Sequence, residues 1–438
     1  MRKTLLRGLV VLLAGGLVGC DRPLFEGNEP GECEDGIDND GDGQEDCLDS
    51  GCVGAPVCND EDAEGGDGVG TDDDDSGSDD DDTTAADDDD TTGDDDDTTG
   101  DDDDSAGPPP LPDLPADASI HFGDVTIASE AEAEAFCSHY DTVVGSLHVL
   151  GASLSQLEPL ACLRWVEGDV RVSATALVAL SLPELATVSG GLLVEDNEQL
   201  QVVDLPELVV VGGDLAITGQ PLLTSYDLQR LVEVGEDLTV AYVTALSELG
   251  LPWLRAVGGD LWVRHNDLLT SFTAELLETV GGMAWVSSNA SLSSVNLASL
   301  TTTGGELYFG RDPELESIVL PLVQSTGGLR ISSNARLDTL ELPSLFEVWG
   351  EVGDVRVSSN SVLLTLSLPG LQIIADHFFV AGNDLLESFQ LSQLDIVGGT
   401  FYVIRNPSLP TSAAEALRDS VGPEDIGNEA IIEDNGPG

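Results

Sequence analysis

The sequence predicts an all-β protein, a right-handed parallel β-solenoid of about twelve 23-residue rungs with short capping helices. Two observations lead to this fold class. A strand pattern of the type Gly-Gly-acid-apolar-x-apolar returns at a nearly constant interval along residues 118–438, and proline and asparagine recur in two further columns. No single rung could bury its own apolar side, so stacked rungs must share one continuous core.

The strand pattern is located by its first apolar residue in each repeat. These residues are Leu147, Val170, Leu192, Leu215, Leu238, Leu261, Ala284, Leu307, Leu329, Val355, Phe378 and Phe401. Successive members lie 22 or 23 residues apart, except for one interval of 26 residues. Because side chains alternate along a strand, the next residue in each repeat should point away from the core.

Two other columns mark the corners of each rung. Proline recurs in Leu-Pro-x-Leu segments at Pro183, Pro206, Pro252, Pro321, Pro343 and Pro369. Asparagine recurs at Asn197, Asn266, Asn289, Asn334, Asn360, Asn383 and Asn406. Since asparagine tolerates left-handed turns and hydrogen-bonds to nearby backbone, we expect these residues to stack as a ladder at one corner.

The open ends of a solenoid need caps. Residues 129–140 predict a short helix with acids in its first half, where the helix dipole favours them. Residues 411–420 predict a second short helix, followed by a last strand near Ile431 and Ile432. Cys137 could form a disulfide with Cys162 across the first rung.

Residues 1–19 are typical of an export signal that ends at Cys20. Basic residues at positions 2, 3 and 7 precede an apolar run that is short for a membrane span, and Leu-Val-Gly-Cys closes it. The segment resembles a bacterial lipoprotein signal with its lipobox. The resemblance implies cleavage before Cys20 and acylation of its thiol and new amino group. The alternative is an ordinary secretory signal with a chance cysteine.

A lipid on Cys20 would anchor the chain, because no other stretch is long and apolar enough to span a bilayer. We therefore expect a protein of the cell envelope, attached to the outer membrane and exposed at the surface. Asp21 follows the lipidated cysteine and leaves the choice between inner and outer membrane open.

Residues 20–58 form a cysteine-rich segment with a candidate Ca²⁺ loop. Its proposed ligands are Asp38, Asp40, Asp42, Gln44, Asp46 and Asp49, with the Gln44 ligand being a backbone carbonyl. With Gly43 at the sixth position, the spacing matches that of an EF-hand loop, although Asp49 replaces the usual Glu. The segment resembles thrombospondin type 3 and other DxDxDG repeats, which pair such loops with cysteines. An acidic, disulfide-stapled spacer is the alternative.

The remaining cysteines of this segment are Cys33, Cys47, Cys52 and Cys58. In an exported chain, disulfides are their default state, with a connectivity that the sequence leaves open. Residues 59–117 follow as an Asp-rich linker in which Asp tetrads alternate with Ser, Thr, Gly and Ala. Like charges repel and nothing there can be buried, so we expect a disordered stalk.

Composition and motifs exclude several classes of function. Acidic residues outnumber basic ones 83 to 15, for a formal net charge of −68. This balance excludes electrostatic binding to nucleic acid, which needs Lys and Arg at phosphates. The five histidines are scattered and no catalytic motif is present, so we expect no enzyme.

The repeat pattern resembles the receptor L-domain family, close structural relatives of leucine-rich repeats. The resemblance is carried by Cys137, residues 144–149 (Val-Gly-Ser-Leu-His-Val), Cys162, residues 166–172 (Val-Glu-Gly-Asp-Val-Arg-Val) and the rungs that follow. It covers about residues 125–435, though the usual leucine-rich spacing is only partly kept. The resemblance implies a solenoid that presents a surface for adhesion or recognition.

The outward column contains the candidate binding residues. Trp262, Trp285 and Tyr308 fall on three consecutive rungs, with Arg264 and Arg311 nearby. Aromatic rows beside arginine suit hot spots for protein partners, and flat rings suit sugar faces. The alternative is that the rings stack across strands for stability alone.

An acidic column precedes the strands. It consists of Asp169, Asp214, Asp237, Asp260, Glu306 and Asp354. These carboxylates could share Ca²⁺, or could instead bond to their own turns.

Three functions remain. The leading hypothesis is a lipid-anchored surface protein whose solenoid binds a protein or glycan ligand without catalysis. A structural envelope spacer without a specific ligand is the first alternative. A carbohydrate-active β-helix enzyme is the second, and it is disfavoured by regular rungs that carry no Lys and no long loops.

Overall fold

The computed structural model describes residues 114–350 and 353–437. These residues form the solenoid and its two capping helices. The predicted signal peptide, the cysteine-rich segment and the linker up to residue 113 lie outside the described residues.

The solenoid has three faces, and each turn except those at the two ends contributes one strand to each face; all strand pairs within a face are parallel. Face 1 consists of Ile120–Phe122, Thr142–Val144, Trp165–Val166, Thr187–Val188, Val210–Val211, Glu233–Val234, Ala256–Val257, Thr279–Val280, Glu347–Val348, Ile373–Ile374 and Ile396–Val397. Face 2 consists of Val125–Ile127, Leu147–Gly151, Val170–Thr175, Leu192–Glu195, Leu215–Thr218, Leu238–Ala241, Leu261–Arg264, Ala284–Ser287, Val355–Ser358, Phe378–Ala381, Phe401–Ile404 and Ala430–Glu433. Two longer strands, Thr302–Gly310 and Ser325–Ser332, run through the corner and belong to both faces.

Face 3 is built from shorter strands in three separate sheets. Its strands are Ala179–Ser181, Val202–Asp204, Ser225–Asp227, Glu248–Gly250, Ser271–Thr273, Ser294–Asn296, Ser317–Val319, Thr339–Glu341, Thr365–Ser367 and Ser388–Gln390. The prolines of the Leu-Pro-x-Leu segments lie in the turns that lead from face 3 back to face 1.

The predicted parallel β-solenoid is confirmed. The twelve residues that located the strand pattern stack on one another along face 2, pairing residue for residue. A further strand precedes this series at Val125 and another follows it at Ala430. The 26-residue interval has a local origin, because its three extra residues lie between Val348 and Val355 at the corner of faces 1 and 2.

The interior is an unbroken column of leucine, valine and phenylalanine side chains. Every residue of the strand pattern is buried, as are the large rings of Phe272, Phe309, Phe378 and Phe401. Full burial of one such side chain stabilises the fold by about 1.5–3 kcal/mol. Since each rung covers its neighbours, this gain depends on stacking.

Glycine is required at the corner between faces 1 and 2, where neighbouring backbones come close together. A Cβ atom on Gly281 would lie 1.8 Å from the carbonyl oxygen of Gly258, and a Cβ atom on Gly258 would lie 1.9 Å from that of Gly235. These separations are far below van der Waals contact. The first glycine of the repeating Gly-Gly pair is therefore fixed by backbone approach.

The predicted asparagine ladder occupies the corner between faces 2 and 3, and its members are fully buried. Each side chain binds backbone of the preceding turn. The Asn360 Nδ2 donates to the Ile331 carbonyl at 3.0 Å, and its Oδ1 accepts from the Asn334 backbone N–H at 3.1 Å. Buried backbone groups that would otherwise lack partners are satisfied in this way.

Three further residues belong to the ladder. Gln220 and Asp312 take the place of asparagine within the column, and Asn435 extends it by one turn. Gln220 donates to the Val194 carbonyl, Asp312 accepts from the Asn289 backbone N–H, and Asn435 accepts from the Asn406 backbone N–H. On one turn Val243 occupies the ladder position and interrupts the ladder, although its backbone N–H still donates to the Asn266 Oδ1. The residue before each ladder position turns the chain with a left-handed backbone, as at His265 and Arg311.

Both predicted caps are present. The first helix, Glu130–Cys137, begins at Ser129, whose Oγ accepts from the Glu132 N–H, and it ends three residues before the predicted boundary. The second helix, Thr411–Val421, and the final strand match their predictions. Two 3₁₀ turns lie at Glu158–Leu160 and Pro423–Asp425.

The disulfide between Cys137 and Cys162 is formed as predicted, with a Cα–Cα distance of 5.7 Å. It joins the end of the first helix to the turn that follows the Glu158–Leu160 segment. The bond therefore ties the N-terminal cap to the first rungs of the solenoid.

Replacing Asn360 by alanine tests the ladder. The substitution leaves the Asn334 N–H and the Ile331 carbonyl without this partner in a fully buried corner. We expect the free energy of unfolding to fall by about 2–6 kcal/mol, at roughly 1–3 kcal/mol for each of the two buried groups left unsatisfied. Denaturant titration measures the change. The exposed Asn428→Ala serves as control, and equal effects of the two substitutions would contradict the assigned role of the ladder.

Candidate functional site

The predicted aromatic row lies along face 2. Trp262, Trp285 and Tyr308 pair in register on three neighbouring strands. Ring centroids are 5.4 Å apart between the two tryptophans and 4.2 Å apart between Trp285 and Tyr308. The row thus arises from sequence spacing alone, because residues 23 positions apart must stack.

Tyr308 corrects one expectation, since it is not an exposed member of the row. Only 5% of Tyr308 is accessible, whereas Trp262 and Trp285 are half-buried. The Tyr308 ring covers Gly310, where an added Cβ would lie under 3 Å from the ring. Glycine at position 310 therefore lets the tyrosine fold down onto its own strand, out of solvent.

The two predicted arginines lie beside the row. The Arg264 guanidinium carbon is 4.9 Å from the Trp262 ring centroid, within cation–π distance. Arg311 occupies the left-handed position after Gly310, with φ of 61°. It lines the same cavity as Trp285 and Tyr308.

This cavity has a volume of about 290 Å³ and opens onto face 2. It crosses five neighbouring strands, so it belongs to the stacked array and to no single rung. Its walls are formed by Trp285, Ser287, Tyr308, Arg311, Arg330, Ser332, Ser333, Arg356, Ser358 and Phe379. We name it the face 2 cavity.

Arg330 and Arg356 are additional members of the site. Both lie in the outward column of the strand pattern, but the sequence did not indicate that they belong to the site. The Arg330 guanidinium lies 5.7 Å from the Tyr308 centroid, and that of Arg356 lies 5.8 Å from the Phe379 centroid. The serines were missed altogether. The available signal was their position, since Ser287, Ser332 and Ser358 each lie three residues after the first apolar residue of the strand pattern.

Two carboxylates accompany these arginines. The Asp354 Oδ2 lies 2.6 Å from the Arg356 Nη2, and the Glu306 Oε2 lies 3.8 Å from the Arg330 Nη1. Burial raises the pKa of the Glu306 carboxyl, while the nearby guanidinium groups of Arg330 and Arg356 partly oppose that rise. Glu306 therefore gives up its proton less readily than an ordinary glutamate.

The aspartates of the acidic column do not bond to their own turns, as one of the two expectations had it. The Asp214 Oδ1 accepts the backbone N–H of Asp237, and the Asp237 Oδ1 accepts that of Asp260. These aspartates thus bind the backbone of the next turn. One set of side chains in the described residues, Asp354, Asp376 and His377, has ligand atoms within 4.8 Å of one another. Arg356 binds Asp354, and the His377 Nδ1 accepts the Thr400 N–H.

Several predicted site residues lie outside the described residues. They are the lipidated Cys20, the candidate Ca²⁺ ligands Asp38, Asp40, Asp42, Gln44, Asp46 and Asp49, and the cysteines Cys33, Cys47, Cys52 and Cys58. These assignments stay predictions. Among the described residues, no helix is long and apolar enough to cross a membrane.

Comparison with known proteins adds little to this geometry. No protein-family model matches the chain, and no curated protein matches it. Among solved structures, a leucine rich cell surface protein from Faecalibacterium prausnitzii A2-165 is 11% identical, with a TM-score of 0.18. The alignment covers 71% of this chain and 87% of that chain. A TM-score this low carries no argument, so the functional interpretation depends on the residues themselves.

Asp312 lies directly beneath the corner that carries Arg311. It is fully buried, and its Oδ2 has no hydrogen-bond partner among the described residues. Burial raises the pKa of this carboxyl to about 7, although hydrogen bonds from Asn289 oppose the rise. In neighbouring turns the equivalent atom is an asparagine Nδ2 that donates to a carbonyl. A protonated Asp312 restores that donor, whereas an ionised one cannot.

Asp312→Asn should therefore stabilise the protein, and the gain should depend on pH. An ordinary aspartate titrates near 3.8, so between that pH and about 7 the folded protein keeps a proton that the unfolded chain loses. The free energy of unfolding should fall as pH rises through this window and level off above it. The substitution should remove that fall, for a gain on the order of a few kcal/mol at about pH 8 and little at about pH 4.

Denaturant titrations at the two pH values measure this difference. The exposed Asp267→Asn, which removes the same charge, is the control. A gain that is the same at both pH values would show that Asp312 carries no extra proton in the folded protein.

Proposed function

We propose that this chain is a lipid-anchored surface protein of the bacterial envelope whose solenoid binds a ligand through face 2 and performs no chemical reaction. The observation that carries the proposal is the face 2 cavity. It combines half-buried tryptophan, guanidinium groups and hydroxyl groups on a rigid parallel sheet. Polar groups that converge beside aromatic rings in a recess are found in ligand sites.

The rigidity of the sheet favours binding. Side chains on face 2 are held by strands that pair on both sides, so little ordering should accompany ligand capture. Preorganised sites lose less conformational entropy on binding. Tryptophan and arginine are also the residue types that most often carry binding energy at interfaces.

The attachment of the chain is proposed from sequence alone. Cleavage before Cys20 and its acylation would tether the protein to the membrane, and the Asp-rich linker would hold the solenoid away from the lipid surface. The acidic loop from Asp38 to Asp49 is proposed to bind Ca²⁺ near this base. The outer membrane with exposure at the cell surface is the location that suits a recognition domain.

A structural spacer is the second candidate, and one observation favours it. Trp285 and Tyr308 pack at 4.2 Å, and Tyr308 is almost completely buried, as expected when aromatic residues serve cross-strand packing. The two candidates differ in one respect. Only binding requires the exposed parts of Trp262 and Trp285.

Truncation of these two tryptophans separates the candidates. We expect Trp262→Ala/Trp285→Ala to weaken binding of the purified protein to isolated bacterial envelopes by about tenfold or more, because aromatic anchors dominate binding energies. Tyr308 is left intact, since its removal would open a buried hole. Cosedimentation over a range of protein concentrations gives the affinity.

A double variant elsewhere on the solenoid provides the matched control. Phe346→Ala/Trp349→Ala removes two aromatic side chains that are 43% and 48% exposed and lie outside the face 2 cavity. Its binding should equal that of the unmodified protein. If both double variants bind like the unmodified protein at matched thermal stability, the spacer is the better account of face 2.

A further inference from the structure

The distribution of arginine on the solenoid is uneven. Residues 114–438 contain 11 arginines and no lysine. Within the described residues, eight of these arginines have a carboxylate within salt-bridge distance, whereas Arg264, Arg311 and Arg405 have none. An arginine without an acidic partner is unexpected on a chain with so many acids. Two of the three flank the aromatic row.

The face 2 cavity concentrates this charge. Arg311, Arg330 and Arg356 come from three consecutive turns and line one cavity of about 290 Å³. Glu306 and Asp354 are the carboxylates in contact with them. Asp354 is committed to Arg356 and to the His377 backbone N–H, and Glu306 lies at a loose 3.8 Å from Arg330. The site therefore keeps an excess of positive charge, centred on Arg311 and Arg330.

Serine hydroxyl groups line the face 2 cavity together with the guanidinium groups. Ser287 accepts the Trp285 indole N–H at 2.8 Å, and Ser332 donates to the Tyr308 hydroxyl at 3.3 Å. Each of these serines still has hydrogen-bonding capacity, since a hydroxyl donates once and accepts twice. Ser333 and Ser358 complete the rim.

We propose that the face 2 cavity binds an anionic sugar residue, meaning a carbohydrate ring that bears a carboxylate or sulfate group. This inference rests on the proposed function, which assigns ligand binding to face 2. Arg311 and Arg330 pair with the anionic group, because guanidinium forks match the geometry of planar and tetrahedral oxyanions. The serines bind ring hydroxyls, and the faces of Trp285 and Phe379 contact the apolar faces of the sugar.

Size and composition favour this ligand over others. The volume is near the lower end of the roughly 300–1,000 Å³ found for small-ligand sites, which suits one or two sugar rings. A bare phosphate or sulfate ion would leave the aromatic walls unused. A protein partner would bind over a much broader patch than this recess, about 800 Å² on each partner.

The test uses a panel of acidic oligosaccharides, each paired with its neutral counterpart. Uronic acid oligomers are paired with their methyl esters, sialylated glycans with asialo forms, and sulfated glycans with desulfated forms. Binding to the purified protein is measured by calorimetry. We expect at least one acidic member to bind, with its neutral counterpart weaker by about tenfold or more, since a charged hydrogen bond is roughly twice as strong as a neutral one.

The decisive variant is Arg311→Asn/Arg330→Gln, in which asparagine tolerates the left-handed backbone at position 311. It should weaken the acidic ligand by about tenfold or more and leave any residual neutral binding unchanged. Arg405→Asn/Arg171→Gln is the matched control. Arg405 has the same left-handed backbone, Arg171 lies in the same outward column, and the loss of charge is identical. This control should bind like the unmodified protein.

Three outcomes would overturn the inference. They are equal binding of acidic and neutral partners, no effect of the Arg311→Asn/Arg330→Gln change, and binding of only inorganic phosphate, sulfate or anionic phospholipid vesicles tested alongside. None of these affects the proposed function if Trp262→Ala/Trp285→Ala still weakens envelope binding by about tenfold or more. Failure of both the envelope assay and the glycan panel would remove the proposed function as well.

Discussion

The structure depends on buried and half-buried polar side chains that bind the backbone of a neighbouring turn. A parallel stack leaves unpaired backbone groups wherever the chain leaves one strand and enters another, and these corners are covered by neighbouring turns. Each asparagine between faces 2 and 3 accepts an N–H from the preceding turn and donates to a carbonyl of that same turn, while aspartates at the opposite end of face 2 accept the N–H of the following turn. Since a buried unpaired group costs about 1–3 kcal/mol, these two columns set the register.

A fixed register determines what face 2 can display. Because most turns have 22 or 23 residues between ladder positions and the longer ones keep the same strand pairing, side chains at equivalent places form rows perpendicular to the strands. Tryptophan, tyrosine, arginine and phenylalanine at one position, with serine two positions later, make an extended surface from a short repeated segment. Gly310 occupies the place that serine has in the neighbouring turns. The Tyr308 ring lies over this glycine, and Arg311 lines the cavity at this corner.

Much of this architecture could be predicted from periodicity. The strand positions, the asparagine corner, both caps and the Cys137–Cys162 pair follow from spacing, since the period forces equivalent residues to stack. The burial of Tyr308 could not be predicted, because it depends on a ring covering glycine two residues ahead. The sequence also could not predict which turn the aspartate hydrogen bonds join, since a carboxylate can reach its own turn or the next one equally well. Gln220 and Asp312 lacked the residue type that marked their column.

The candidate site was predicted in part for the same reason. The rows were readable, so Trp262, Trp285, Arg264 and Arg311 were found. The cavity was not, because its walls come from five turns and its serines carry no distinctive pattern in sequence. A concave site on a flat sheet depends on which side chains are small, and that is a property of neighbouring turns together.

Hydrogen exchange at single-residue resolution tests the central claim most directly. If the ladder sets the register, the backbone amides of Asn266, Asn334, Asn360 and Asn383, which donate only to side chains of the next turn, should exchange as slowly as the central amides of face 2. Exchange at these amides as fast as in the exposed 422–425 turn would contradict the account. Register would then be set by core packing and strand pairing alone.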